Sequence, residues 1–127
     1  MTSGRTPIVG VAGCGVTGAR IVSHLAGASV RVAAFDPVAG AANSVVRRHG
    51  AVAVDRLSDL AACDLVVLAS PSPHLAAVSA LVDEQVPVVT LSDDLTDLRA
   101  LLALGSAARA GGVAAVIGAG MAPGLSG

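Results

Sequence analysis

The sequence predicts an α/β fold: a doubly wound, mostly parallel six-stranded sheet in a single domain over residues 1–127. Three observations predict it. Six apolar strand-like runs alternate with helical spacings, the alternation that builds a parallel sheet through right-handed crossovers. The runs are apolar almost throughout rather than at every second residue, as strands covered on both faces are. The turns between them carry Gly, Pro, Ser or Asp, which favour turns and element ends.

Ile8 to Ala12 is a short buried strand, and Gly13-Cys14-Gly15-Val16-Thr17-Gly18 follows it at once. Ile21, Val22, Leu25 and Ala26 then recur at helical spacing, with Gly27 as the stop. Val30 to Phe35 is a second strand ending on Asp36-Pro37. From Val38, the positions Val38, Ala41, Ala42, Val45 and Val46 have the spacing of an amphipathic helix. Arg47, Arg48 and His49 suit the dipole of its last turn, and Gly50 ends it.

Ala51 to Val54 is a third strand, and a weak helical turn around Leu57, Leu60 and Ala61 leads to the strongest one, Asp64 to Ala69. Ser70-Pro71-Ser72-Pro73-His74 breaks that strand before a helix carrying Leu75, Val78, Leu81 and Val82. Pro87 to Leu91 is a fifth strand. Ser92, Asp93 and Asp94 offer N-cap oxygens to a helix with Leu95, Leu98, Leu101 and Leu102, which runs to Gly111-Gly112. Val113 to Ile117 is the sixth strand.

Composition removes several functions. Hydrophobic residues make up 54% of the chain and charged residues 13%, which places it among folded domains. Phe35 is the sole aromatic residue, the net charge is −1, and every basic residue is Arg. Base stacking, a basic stripe for nucleic acid, a P-loop lysine and a Schiff-base lysine are therefore not expected. Cys14 and Cys63 are too few for a zinc cluster or a disulfide framework, so no metal is expected. The long uncharged stretch Leu65 to Val82 holds Pro71, Pro73 and His74 and does not suit a membrane span. Val11-Ala12-Gly13-Cys14 resembles a lipoprotein cleavage box, but the apolar run before it, Ile8 to Ala12, falls short of the ~7–15 residues such a signal needs. The expected location is the cytoplasm.

The chemistry centres on the glycine loop. A lone G-x-G-x-x-G is weak evidence in a chain with 15 glycines. Here it follows a strand and opens a helix, and Asp36 closes the next strand 18 residues after Gly18, the arrangement of a Rossmann-like dinucleotide site. Gly13 permits the tight turn, Gly15 lets a pyrophosphate approach the backbone, and Gly18 lets helix and strand pack closely. The expected cofactor-binding residues are Gly13, Cys14, Gly15, Val16, Thr17, Gly18 and Asp36, joined by Ala69, Ser70 and Pro71 at the nicotinamide end. Asp36 favours NAD over NADP, because a carboxylate there accepts from ribose hydroxyls and repels a 2′-phosphate.

Cys14 reads as structural filler, although a helix N-terminus would lower its pKa and make it easily oxidised or alkylated. His74 reads either as a satisfied helix-end residue or as a catalytic acid, and Asp93 and Asp94 as caps. No residue is singled out as catalytic.

With these features placed, the chain resembles the N-terminal nucleotide domain of the saccharopine dehydrogenase-like oxidoreductases. The more specific likeness is Arg109-Ala110-Gly111-Gly112, a short strand, and Gly118-Ala119-Gly120-Met121-Ala122-Pro123-Gly124-Leu125-Ser126, similar to the segment by which that family leaves its nucleotide domain. The resemblance implies hydride transfer between NAD(P) and a carbon-nitrogen bond, with a substrate domain that this sequence does not contain. Residues 1–127 are accordingly expected to be the cofactor part of a longer two-domain enzyme, inactive by itself and a homo-oligomer. The alternative is a stand-alone nucleotide sensor for a transporter or repressor.

Overall fold

A computed structural model of the chain describes residues 5–38, 40–71, 73–91, 94–113 and 115–116. The chain alternates strand and helix as its turns dictate: β1 (Ile8–Ala12), α1 (Val16–Ala26), β2 (Arg31–Phe35), α2 (Ala41–His49) and β3 (Val52–Ala53) form the first half. A 3₁₀ turn (Leu57–Ala62) leads into β4 (Leu65–Leu68), α3 (Leu75–Asp83), β5 (Val88–Thr90), α4 (Leu95–Ala110) and β6 (Ala115–Val116). The strands form one sheet in the order β3-β2-β1-β4-β5-β6, every pair parallel. The six-stranded, doubly wound arrangement read from the sequence is thus the one observed.

Side chains alternate across each strand, so β1 feeds both cores at once. Val11 joins Val22, Val32, Ala34, Ala42 and Val45 on the face that α1 and α2 cover. Ala12 joins Leu60, Val66, Leu68, Val78, Leu81, Val88 and Leu101 on the face covered by the 3₁₀ turn, α3 and α4. With one aromatic in the chain, these small aliphatic side chains carry the packing, each Val or Leu worth ~1.5–3 kcal/mol when fully buried.

The ends of the elements refine the sequence reading. The periodicity that begins at Val38 does not begin the helix there: Gly40 stands at φ 83 as the N-cap, and α2 starts at Ala41. Val38 is 67% exposed, its backbone N–H donating to Asp36 Oδ1 at 2.8 Å. β3 shrinks to two residues because it pairs only with β2, at the sheet edge. Asp94 is the N-cap that the sequence offers, its Oδ1 accepting from the Asp97 N–H at 2.9 Å; Asp93 lies outside the described residues. At the end of the sheet opposite the glycine loop, Arg5 forks onto both oxygens of Asp64 at 2.7 and 2.8 Å, and the Ile8 N–H donates to the same carboxylate.

Candidate functional site

In a doubly wound sheet the strand order reverses at one point, and a crevice opens there outside the carboxyl ends of the strands. Here that point lies between β1 and β4. Three backbone bonds carry the ladder past the strand ends and fix the crevice rim: Gly13 N–H to Phe35 O at 2.8 Å, Ala69 N–H to Ala12 O at 2.8 Å, and Leu91 N–H to Leu68 O at 3.0 Å. The result is a cleft of about 610 Å³ lined by Gly13, Gly15, Val16, Thr17, Asp36, Ala69, Ser70 and Pro71, together with Pro37, Val38 and Leu91. Eight of the ten residues expected from the sequence line one cleft.

The glycines differ in what they do. Gly13 has φ +103, and a Cβ on it would stand 2.4 Å from the Ser70 nitrogen, so it sets the turn and the close approach to the loop after β4. A Cβ on Gly18 would stand 1.6 Å from the Gly13 carbonyl oxygen, which presses α1 against the end of β1. Gly15 has neither constraint: nothing lies within 4 Å of a Cβ built there. It caps α1, the cap makes no side-chain hydrogen bond, and the first turn holds no acidic residue. The first N–H groups of an α-helix have no intrahelical acceptor, and this 11-residue helix begins at the cleft, which Gly15, Val16 and Thr17 line. That is the donor set and the room that a pyrophosphate needs.

Asp36 faces the same cleft from the end of β2. Its Oδ2 accepts the Cys14 N–H at 2.7 Å while Oδ1 takes the Val38 N–H, so the carboxylate clamps the glycine loop as well as presenting its remaining lone pairs to the cleft. Sequence spacing does not reveal this second task. No arginine lines this cleft; Arg20, Arg48 and His49 instead border a neighbouring one of about 470 Å³ between α1 and α2. Arg56 lies 3.8 Å from Asp59.

Two expected cofactor residues do not line the cleft. Gly18 is packed under the loop, and Cys14 borders the α1–α2 cleft, its Sγ 3.6 Å from Phe35 O. Cys14 is buried, as structural filler would be, and its surroundings do not favour the alternative of an acidified thiol: burial, and then the Asp36 carboxylate, push it up to about 11. Burial likewise raises Cys63, with Asp64 adding to it. Both are neutral thiols at neutral pH.

His74 is 1% exposed and has the satisfied surroundings of a core histidine. Pro37, Val38 and Leu91 are cleft residues that the sequence reading omits; the parallel order alone points to them, since each follows the carboxyl end of a strand. Among the described residues no cluster of three or more metal-ligating side chains occurs, and no helix is long and apolar enough to cross a membrane.

The strand order, the uncapped helix behind the glycine loop and the cleft at the reversal point define a Rossmann-like fold. Among solved structures, UDP-N-acetylglucosamine 3-dehydrogenase GnnA from Acidithiobacillus ferrooxidans matches with a TM-score of 0.70 and 22% identity, over 83% of this chain and 35% of that one. GenD2 from gentamicin A biosynthesis, solved in complex with NAD, matches at 0.71 and 21% identity over 91% of this chain and 35% of that one. Saccharopine dehydrogenase (L-Glu forming) from Saccharomyces cerevisiae matches at 0.62 and 22% identity, over 75% of this chain and 24% of that one. The chain thus spans about a third or less of the length of these proteins, and the likeness is one of fold. The saccharopine dehydrogenase fold is one among several and is not singled out. No protein-family model matches the chain, and no curated protein matches it in sequence. The segment Gly118 to Ser126, on which the more specific resemblance rests, lies outside the described residues.

Proposed function

We propose that residues 1–127 form the dinucleotide-binding domain of an NAD-dependent oxidoreductase and hold the cofactor for hydride transfer to or from a carbon-nitrogen bond. The observation that carries the reading is the uncapped start of α1, with open space above Gly15 and Asp36 across the same cleft. Val16, Thr17 and Gly18 supply N–H donors to the pyrophosphate, Asp36 accepts from the adenosine ribose, and Ala69, Ser70 and Pro71 flank the nicotinamide. A nicotinamide bound there gives a hydride to, or takes one from, the carbon of the substrate. The carbon-nitrogen specificity rests on the resemblance of the terminal segment to saccharopine dehydrogenase-like enzymes, with a cytoplasmic setting and a substrate domain supplied from outside these residues.

Cofactor choice tests the reading. A hydrogen bond to a charged group contributes ~1.5–3 kcal/mol, so NADH is expected to bind about 10–100 times more tightly than NADPH. Because Asp36 also clamps Cys14 N–H, Asp36→Ala would loosen the loop along with the ribose contact. Asp36→Asn keeps an acceptor for the loop and removes the charge, and it should abolish most of the preference. Calorimetric titration of both cofactors into both proteins reads this, and tighter binding of NADPH to the wild type would refute the assignment.

Self-association belongs to the same proposal. Leu95, at the start of α4, is 64% exposed, and exposed apolar surface favours pairing with another surface. Light scattering at millimolar protein should give a dimer or larger; a clean monomer mass would remove this part of the reading.

A further inference from the structure

We infer that His74 is a positioning residue: it fixes the loop bearing Ser70 and Pro71 at the nicotinamide end of the cleft, an inference that rests on the dinucleotide reading above. The loop after β4 has an unusual shortage of donors. A tight turn beginning at Ser70 would ordinarily close with the N–H three residues on satisfying the Ser70 carbonyl. That residue is Pro73, and Pro71 is likewise without an N–H. The His74 ring supplies the missing donor: Nε2 lies 2.7 Å from the Ser70 carbonyl oxygen. A carbonyl only accepts, so Nε2 carries the proton, and in the neutral ring Nδ1 accepts from the Thr90 hydroxyl that lies against it.

The backbone holds His74 as firmly as the ring does. Its N–H donates to Asp97 Oδ2 at 2.8 Å, so one buried residue joins the loop after β4, the end of β5 and the first turn of α4. Two of these meet the cleft: Ser70 and Pro71 line it, and Leu91, which lines it too, follows Thr90 directly. This knot is on the far side of β1 from Asp36, because β2 and β4 flank β1 on opposite sides. With the adenosine ribose on Asp36 and the pyrophosphate at the start of α1, the wall that His74 holds is the one facing the other nucleoside. His74 touches neither cofactor nor substrate in this arrangement; it acts through Ser70 and Pro71.

The test compares two ligands that differ only in the nicotinamide base of that nucleoside, NAD⁺ and ADP-ribose, titrated calorimetrically into wild type, His74→Leu and His74→Gln. In His74→Leu the loop loses its donor, and NAD⁺ affinity should fall by about tenfold, the worth of one ordinary hydrogen bond, while ADP-ribose affinity stays within about twofold. His74→Gln, whose amide N–H can reach the Ser70 carbonyl, should recover most of the NAD⁺ affinity. Should His74→Leu fail to fold, Thr90→Val takes its place: it frees the ring from its second anchor and should show the same selective loss in smaller measure. Equal losses for both ligands, or no loss for NAD⁺, would show a purely structural residue and overturn the inference. A wild-type chain that bound neither ligand would overturn the dinucleotide reading and this assignment with it.

Discussion

Gly18→Ala is expected to destabilise the domain and to abolish tight binding of NADH. In an ordinary helix the exchange is favourable by ~1 kcal/mol, since alanine is the better helix former. Here the new methyl would sit 1.6 Å from the Gly13 carbonyl oxygen and 2.7 Å from the carbonyl carbon. Both atoms are backbone, and the Gly13 N–H is itself tied to Phe35 O, so the relief must come from α1 moving off the end of β1. Overpacking of this sort costs ~1–3 kcal/mol even where side chains give way, which exceeds the helical gain. It is also a sizeable share of a total stability of ~5–15 kcal/mol. Thermal melting should fall by several degrees, and NADH affinity by at least about tenfold as the N–H groups at the start of α1 leave their alignment. A melting temperature equal to that of the wild type would contradict the packing described.

Gly15→Ala should do the opposite to stability and the same to binding. The space over Gly15 is empty to 4 Å, and its backbone, at φ −73 and ψ −157, lies where alanine is also comfortable. Restricting the unfolded chain without strain in the folded one stabilises a protein by ~0.4–1 kcal/mol, so the melting temperature should hold or rise. The added methyl would nonetheless occupy the approach to the first N–H groups of α1. Each hydrogen bond to a charged phosphate is worth ~1.5–3 kcal/mol, so losing one lowers NADH affinity by about 10–100-fold. A protein that melts higher yet binds far worse would show that this glycine serves a ligand rather than the fold. Unchanged NADH affinity in Gly15→Ala would mean that the pyrophosphate does not sit there.

Motif position already gives these two glycines different tasks, and other positions mark what a sequence can and cannot convey. Runs such as Ile8–Ala12 and Leu65–Leu68 were legible because a strand covered on both faces leaves an uninterrupted apolar signature, and the strand-glycines-helix succession located the cleft. The start of α2 was not legible: Val38 continues the helical period, yet its N–H goes to Asp36 and Gly40 turns left-handed before the helix begins. His74 was ambiguous for a different reason. Its partners Thr90 and Asp97 lie 16 and 23 residues further on, and no local pattern records a contact made through the tertiary fold. For Cys14 the local rule of a helix N-terminus leaves out burial and the neighbouring Asp36, which belong to the tertiary fold and both push the thiol up.

The continuation of the sheet ladder beyond the strand ends has a consequence for the entropy of recognition. Gly13, Ala69 and Leu91 are bonded to Phe35, Ala12 and Leu68 as though they were still within strands, so the rim of the cleft loses its backbone freedom when the chain folds. Ordering a residue costs ~1–2 kcal/mol, and a rim left loose would subtract that cost from the affinity of whatever it received. Here the cost falls on folding, where two hydrophobic cores offset it, and a ligand arriving at the cleft meets a surface already in its receiving shape.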